Sequence, residues 1–439
     1  MSNTTFALSL CLAGCASAIA MPDLVAPKPV APSLGVAAIS ATDLAFARAV
    51  GLPGLEQMLQ KYDGLPDGPA RDELGARIDK VAAQKYATVS RLFWHTELDR
   101  AKAEATKTHK PILALRMLGR LDEELSCANS RFFRTTLYAN KELSAYLKQH
   151  FVLYWSSERD VPRVTIDFGD GRRIESTTTG NSAHYVLDEN GEVLDVIPGL
   201  YTPRAFRAEL ETSLTHVKIV ADAPARLRTA TIRAYHEFKR NQISTAASMM
   251  KVYALRGMRV SSEDAMERAQ MATISKGYVE VPQLRQITSA ELTSLDEGET
   301  ATWASFADQL WPVMHEALKP RGSYTQIPSN ASLAVFDTQS INLVRRLHGE
   351  APEQDVARML SRLAQHAKAD SALNQLRLRY EIAAILSTGH TDFATINDQI
   401  YAKVFHTPKS DPWIGLRSRL DFTGLPNDGV TMPAKAAQR

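Results

Sequence analysis

The chain has 439 residues, of which 44% are hydrophobic and 23% charged, as expected for a globular protein of two to three domains. Its net charge of +2 gives no electrostatic basis for binding nucleic acid or an anionic membrane surface, so we expect no nucleic-acid partner. The 11 histidines are scattered, and no Cys/His pair has zinc-ligand spacing. We therefore expect no metal and no other cofactor.

The first 20 residues have the pattern of an export signal, because residues 6–20 are almost all apolar or small and the run is too short to span a bilayer. Within it, Leu12-Ala13-Gly14-Cys15 resembles a bacterial lipobox. That resemblance implies cleavage before Cys15 and lipidation of its thiol. Ordinary signal-peptidase cleavage after Ala18 or Ala20 is the alternative. Either route predicts an exported protein.

Residues 21–40 contain four prolines among small residues and are interpreted as an extended linker. Residues 41–92 are predicted to be helical and to precede the next domain. Their second helix carries Leu74, Ile78 and Val81 at helical spacing.

The segment 93–215 is predicted to be an α/β domain with a mixed sheet flanked by helices. Apolar strands are expected at 112–115 and 151–155, and a polar insertion at about 160–178 alternates like a hairpin. A further hairpin is predicted around Asn190-Gly191, since both residues tolerate a positive φ. Asn140 and Thr202-Pro203 are typical helix starts.

The last part of the chain has apolar residues at helical spacing and few β-branched runs. We predict a mainly α-helical domain over residues 216–425 and a disordered tail over 426–439. The aromatic and proline-rich segment 402–425 is expected to pack back onto the body of the protein.

Cys127 is the leading candidate for chemistry. It begins Cys127-Ala128-Asn129-Ser130, after a predicted central strand and before helical sequence. A cysteine at a helix start faces unpaired backbone N–H groups and the positive end of the helix dipole, which lower a thiol pKa. Ser130 can donate a hydrogen bond to the sulfur, and Arg131 and Arg134 add positive charge. The alternative is a buried, unreactive cysteine.

The order strand, cysteine at a helix start, strand, hairpin, helix resembles the thioredoxin-like superfamily. The resemblance covers about residues 96–214 and implies that Cys127 attacks a disulfide, with Ser130 in place of the resolving cysteine, as in monothiol members. The family's cis-proline would fall near Ser182, where this sequence has no proline. About eleven residues separate the first strand from Cys127, which is longer than the family's usual loop.

His184 is the second candidate, since the inferred fold places it opposite Cys127. It would act there as a base or ion-pair partner. The alternative is a strand histidine bonded to a backbone carbonyl, and separated sequence positions do not distinguish the two.

Two functions follow from these patterns. The first is a redox-inert or weakly active thioredoxin-fold scaffold that binds a protein partner in the cell envelope. The second is a monothiol thiol-disulfide oxidoreductase in which Cys127 forms mixed disulfides with a protein thiol or disulfide. A hydrolase using Cys127 and His184 is a third, less favoured interpretation. In each case the protein is expected to be periplasmic or anchored to the outer membrane as a lipoprotein.

Overall fold

The computed structural model describes residues 41–254, 271, 273, 274, 276, 298, 300–305, 307–308, 335–417 and 424–432. The predicted signal segment 1–20, with Cys15, and the linker 21–40 lie outside these residues. The described residues all belong to one compact unit. The described residues include no helix that combines the length and apolar content needed to cross a membrane.

Five helices precede the sheet: α1 (Ala41–Val50), α2 (Leu52–Asp63), α3 (Pro69–Ala82), α4 (Ala87–Ser90) and α5 (Leu98–Thr108). The predicted apolar face of α3 is buried, with Leu74, Ile78 and Val81 each at most 3% exposed. The last turn of α3 ends in a left-handed residue, Ala83, and α5 ends in the same way at His109.

The strands are β1 (Ile112–Leu118), β2 (Val152–Arg159), β3 (Arg163–Asp167), β4 (Arg173–Thr177), β5 (Ser182–Leu187) and β6 (Val193–Pro198). Four of them form a mixed sheet in the order β2-β1-β5-β6. β1 runs parallel to β2 and antiparallel to β5, and β5 runs antiparallel to β6. β3 and β4 form the separate hairpin that the polar insertion predicted.

Local chemistry explains the connections around this sheet. Between β1 and β2 lie α6 (Ala128–Phe132), its π-helical continuation Phe133–Leu137, and α7 (Lys141–His150). Asn140 caps α7 by accepting a hydrogen bond from the Leu143 backbone N–H at 2.9 Å, as predicted.

The hairpin and the helix after it also follow their sequence signals. In the β5–β6 turn, Asp188 Oδ1 accepts from the Asn190 and Glu192 N–H groups, and Gly191 takes a positive φ of 86°. Thr202 then caps α8 (Pro203–Asp222), also as predicted.

The C-terminal region is helical in its described parts. After a short 3-10 turn (Ala225–Leu227) it contains α9 (Arg228–Ala254) and the helices Thr338–Leu347, Glu353–Leu373, Arg379–Leu386 and Phe393–Gln399. Two π-helical segments, Asn374–Leu378 and Ile400–Val404, continue two of these helices.

These observations confirm the predicted α/β architecture with a helical C-terminal region. The predicted boundary between residues 215 and 216 falls inside α8, and the domain boundaries as a set stay predictions. Part of the predicted disordered tail, Pro426–Gly429, is a 3-10 turn. Residues 433–439 lie outside the described residues.

One hydrophobic core joins the sheet to the C-terminal helices. Leu115 of β1, Phe206 of α8 and Leu386 belong to the same cluster of buried residues. Of the predicted segment 402–425, the described residues 402–417 pack onto the body as expected, because Arg159 of β2 donates to the Thr407 and Asp411 carbonyls at 3.3 and 2.8 Å. Residues 418–423 lie outside the described residues. The sheet is therefore covered on both sides by parts of its own chain, as its apolar strands require.

Candidate functional site around Cys127

Cys127 lies immediately before α6, as the sequence predicted. Its backbone N–H donates to the Leu118 carbonyl at the end of β1 at 3.2 Å, and its own carbonyl accepts from Arg131. These bonds hold the cysteine at the carboxyl end of the central strand. Its side chain is 0% exposed.

Burial decides the electrostatics of this thiol. It raises the pKa of Cys127, and this effect outweighs the hydrogen bonds from Ser130 and the charge of Arg131, which act in the opposite direction. The expected lowering of the pKa is therefore wrong. Cys127 does lie at a helix start, but the free-energy cost of removing a thiolate from water exceeds the stabilisation that the helix start provides.

Ser130 forms hydrogen bonds at the start of α6. Its Oγ lies 2.6 Å from Ser126 Oγ and 2.8 Å from the Cys127 carbonyl oxygen, and the hydroxyl is fully buried. A serine hydroxyl forms no disulfide, so Ser130 supplies no resolving chemistry. Its contacts tie the first turn of α6 to the loop before it.

Arg134, which was expected to add positive charge near the thiol, is directed to the loop that precedes Cys127. Its guanidinium donates to the Leu121 and Glu124 carbonyls at 3.3 and 3.2 Å, and also to the Glu123 carbonyl. Its side chain is 1% exposed, and burial lowers its pKa. The long loop between β1 and α6 is thus organised around a buried arginine, a role that sequence reasoning missed.

His184 lies in β5, opposite Leu115 of β1. Its Nε2 is 2.7 Å from the Tyr138 hydroxyl, and its ring packs 4.7 Å from the rings of Phe133 and Phe206. Burial lowers the pKa of His184 to about 3, so the ring is neutral near pH 7.

The predicted pairing of His184 with Cys127 is not found. Within the described residues no hydrogen bond or ion pair joins them, and the partner of His184 is Tyr138. The predicted alternative for His184, a bond to a backbone carbonyl, is also replaced by this side-chain contact. Nδ1 of His184 has no hydrogen-bond partner among the described residues.

The loop 179–181 faces the start of α6, and its bonds run directly to it. The Ala128 N–H donates to the Thr179 carbonyl at 3.2 Å, and the Asn129 side chain donates to the Gly180 carbonyl. Thr179 adopts a positive φ of 74°. These bonds attach the loop to the first turn of α6.

The same loop is covered from the other side by the C-terminal region. The Gly180 N–H donates to the Ile274 carbonyl at 2.9 Å. Asn181 Nδ2 donates to Thr407 Oγ1 at 3.0 Å, and the Tyr401 hydroxyl donates to the Asn181 carbonyl at 3.4 Å. The Gly180 N–H and the carbonyls of residues 179–181 are therefore all bonded within the chain.

A buried charge cluster without Cys127 is found among the described residues, and sequence reasoning missed it. Arg379 donates to Asp195 Oδ1 and Oδ2 at 2.7 and 3.0 Å and to Glu209 at 2.9 Å. Lys239 donates to Glu209 at 2.9 Å. All four side chains are at most 5% exposed, and two positive charges balance two negative ones.

This cluster, which we call the buried ion quartet (Asp195, Glu209, Lys239, Arg379), connects four elements. Asp195 comes from β6, Glu209 from α8, Lys239 from α9 and Arg379 from the helix that it begins. The cations hold the pKa of Asp195 well below its usual value and lower that of Glu209, despite their burial. A charged residue inside the apolar run Val193–Ile197 is a signal that could have identified Asp195, but its partners are remote in sequence.

The described residues contain no group of three or more His, Cys, Asp or Glu side chains that could hold a metal ion. No family model, no curated protein and no solved structure matches this chain. The chemistry of the site is therefore interpreted from its own geometry. A buried thiol of raised pKa is poorly suited to attack a disulfide.

Proposed function

We propose that this protein is a redox-inert scaffold with a thioredoxin-like fold, which binds a protein partner in the bacterial cell envelope. One observation carries the proposal. The Cys127 thiol is completely buried, its pKa is raised, and the loop facing it is occupied by the chain's own residues. A thiol in that setting is a core side chain rather than a nucleophile.

The order of elements supports the thioredoxin-like assignment. A central strand, β1, leads to a cysteine at a helix start, and a parallel strand, β2, follows. The antiparallel pair β5 and β6 extends the sheet on the other side of β1, and α8 comes next. This is the sequence of elements on which the resemblance rests, and a fold of this kind does not by itself imply redox activity.

Native and denatured alkylation of Cys127 tests the inert scaffold. The full chain with Cys11→Ser and Cys15→Ser retains Cys127 as its single thiol. We expect iodoacetamide to modify it very slowly between pH 6 and pH 9 in the native protein, because burial both blocks access and disfavours the thiolate. Denaturation in urea should restore the rate of an ordinary thiol.

The monothiol oxidoreductase is the second candidate, favoured by the position of Cys127 at the start of α6 with Ser130 and Arg131 nearby. In that reaction the thiolate attacks a partner disulfide, the partner's second sulfur leaves as a thiolate, and an external thiol releases Cys127 from the mixed disulfide. Rapid alkylation below pH 8, together with mixed disulfides that accumulate when external thiol is withheld, would establish it and refute the inert scaffold.

The proposed location rests on the lipobox-like sequence. If Cys15 carries the lipid, labelled palmitate should be incorporated into the wild-type chain, and Cys15→Ser should lose both the label and membrane association. Cys11→Ser is the matched control and should retain both. A mature chain that begins after Ala18 or Ala20 would contradict lipidation and support ordinary signal cleavage.

A further inference from the structure

A cleft that Cys127 does not line lies between α1–α2 and α5. Its volume is about 740 Å³, within the range of small-molecule sites. Buried aromatic and aliphatic side chains, including Phe93, Phe151 and Leu153, form its apolar part. The cleft is therefore large and apolar enough to hold a small organic molecule.

Its polar lining is unbalanced in charge. The cleft is lined by five cationic residues and two carboxylates, an excess of three positive charges; the cations are Arg48, Arg100, Lys107, Lys110 and Lys148. Both carboxylates are already paired, Glu97 with Arg100 at 2.9 Å and Glu104 with Lys107 at 3.5 Å. Both carboxylates of the cleft are thus paired with exposed cations, Arg100 and Lys107.

Lys110 and Arg48 are the lining cations without a carboxylate in the described part of the chain, and of the two Arg48 lies against the apolar surface. Among the described residues it forms no ion pair, and its guanidinium instead donates to the Val81 carbonyl at 2.8 Å and to Thr96 at 3.2 Å. It also lies over the Phe93 ring, 4.6 Å from the centroid. These contacts fix the guanidinium against the apolar surface and leave three of its five N–H groups for a ligand.

The excess positive charge and the burial shift the pKa values of two groups in the cleft, Arg48 and His95. Burial and the charge of Arg100 lower the pKa of Arg48 to about 10. Burial and the charge of Arg48 lower the pKa of His95 to about 4. This end of the cleft therefore has a positive potential in partly dehydrated surroundings, which a bound anion would relieve.

We propose that this cleft binds an amphiphilic anion, with its carboxylate or phosphate at Arg48 and its hydrocarbon body on the surface formed by Phe93 and Phe151. A bidentate contact with a planar carboxylate or a phosphate suits an arginine held in one orientation. The apolar surface adds affinity in proportion to the hydrocarbon it covers. This site is independent of the scaffold proposal and of the state of Cys127.

Calorimetric titration of the full chain with four probes tests the ligand class. Dodecanoate and dodecyl phosphate, below their micelle concentrations, should bind saturably with a Kd below about 1 mM. Dodecyltrimethylammonium and inorganic phosphate should not. Equal binding of the cationic amphiphile, or phosphate binding as tight as dodecyl phosphate, would overturn the proposal. A preference between the two anionic probes would distinguish a fatty-acid from a phospholipid-type headgroup.

Two substitutions place the ligand in the cleft. Arg48→Gln should weaken dodecanoate binding at least ten-fold by removing the charge-assisted contacts. Val50→Glu, at a rim position 40% exposed, should weaken it by repulsion while leaving the core intact. The control is Arg345→Gln, because Arg345 is a surface arginine that does not line the cleft.

Thermal unfolding of each variant without ligand completes the test. A folded Val50→Glu protein with unchanged affinity would refute the site, even if Arg48→Gln proves too unstable to measure. Equal weakening by Arg345→Gln would likewise show that binding follows overall charge rather than this cleft.

Discussion

Replacing Arg379 by methionine removes the cation that bridges Asp195 and Glu209 in the buried ion quartet. Methionine retains an unbranched side chain, so most of the packing volume is kept. The variant leaves two buried carboxylates with Lys239, which lies 2.9 Å from Glu209 but 3.8 Å from Asp195. Asp195 thereby loses its bidentate partner while keeping its bonds to Ser213 and Tyr235.

The expected cost follows from this burial. Removing one partner of a buried ion pair leaves an uncompensated charge and costs about 3–5 kcal/mol. We place Arg379→Met in that range, since Arg379 and Asp195 are each 1% exposed at the side chain. Adding Asp195→Asn to Arg379→Met restores the charge balance with the Lys239–Glu209 pair. The double variant should therefore be more stable than the sum of the single effects by about 1–3 kcal/mol.

Urea unfolding followed by tryptophan fluorescence measures these effects as shifts of the midpoint at constant m-value. The matched control is Arg345→Met, because Arg345 pairs with Glu353 on the surface, where the two side chains are 50% and 67% exposed. That substitution should cost no more than about 1 kcal/mol. If Arg379→Met costs no more than the control, the quartet does not hold the C-terminal helices to the sheet, and the reasoning from burial fails.

Two further predictions concern the same packing. Gly199→Ala should destabilise the protein by at least about 1 kcal/mol more than Gly169→Ala. Both glycines have φ above +70°, but only at Gly199 would a Cβ lie within 3.0 Å of a buried side chain, that of Asn374. Equal free-energy costs in urea unfolding would contradict this close approach. Burial lowers the pKa values of His184 and His236 to about 3. As the pH falls, these histidines therefore become protonated in the unfolded chain at a higher pH than in the folded protein. Stability should therefore be full above about pH 6.5 and fall by up to about 1.4 kcal/mol per pH unit for each histidine below it. His236→Gln should make the measured decline shallower, and a flat profile between pH 7.5 and pH 5 would refute the assignment.

Much of the local structure was predictable because it depends on neighbouring residues. Continuous apolar runs predicted β1 and β2, alternation predicted the β3–β4 hairpin, and helical spacing predicted the α3 face. Side-chain caps predicted the starts of α7 and α8. Asn190-Gly191 predicted the β5–β6 turn because that turn requires a positive φ. The position of Cys127 before a helix follows from the same local signals.

The properties of the candidate site were not predictable in this way. A helix start favours a thiolate, but the pKa of Cys127 is governed by the loss of water around it. That loss follows from the packing of Cys127 in the hydrophobic core. The loop that is bonded to the start of α6 is likewise covered by Ile274 and Thr407, which are remote in sequence. His184 is hydrogen-bonded to Tyr138 rather than to Cys127, because the pairing of β5 with β1 determines the position of the imidazole ring.

The sequence by itself determined the elements, their order and the caps that begin several helices, since each is specified within a few residues. The tertiary structure decided that Cys127 is buried, that Arg134 holds a loop, and that Asp195, Glu209, Lys239 and Arg379 meet in one core. The physical reason is that burial and charge pairing are properties of the surroundings of a side chain. Those surroundings are assembled from remote segments, such as those of Asp195 and Arg379, which are 184 residues apart.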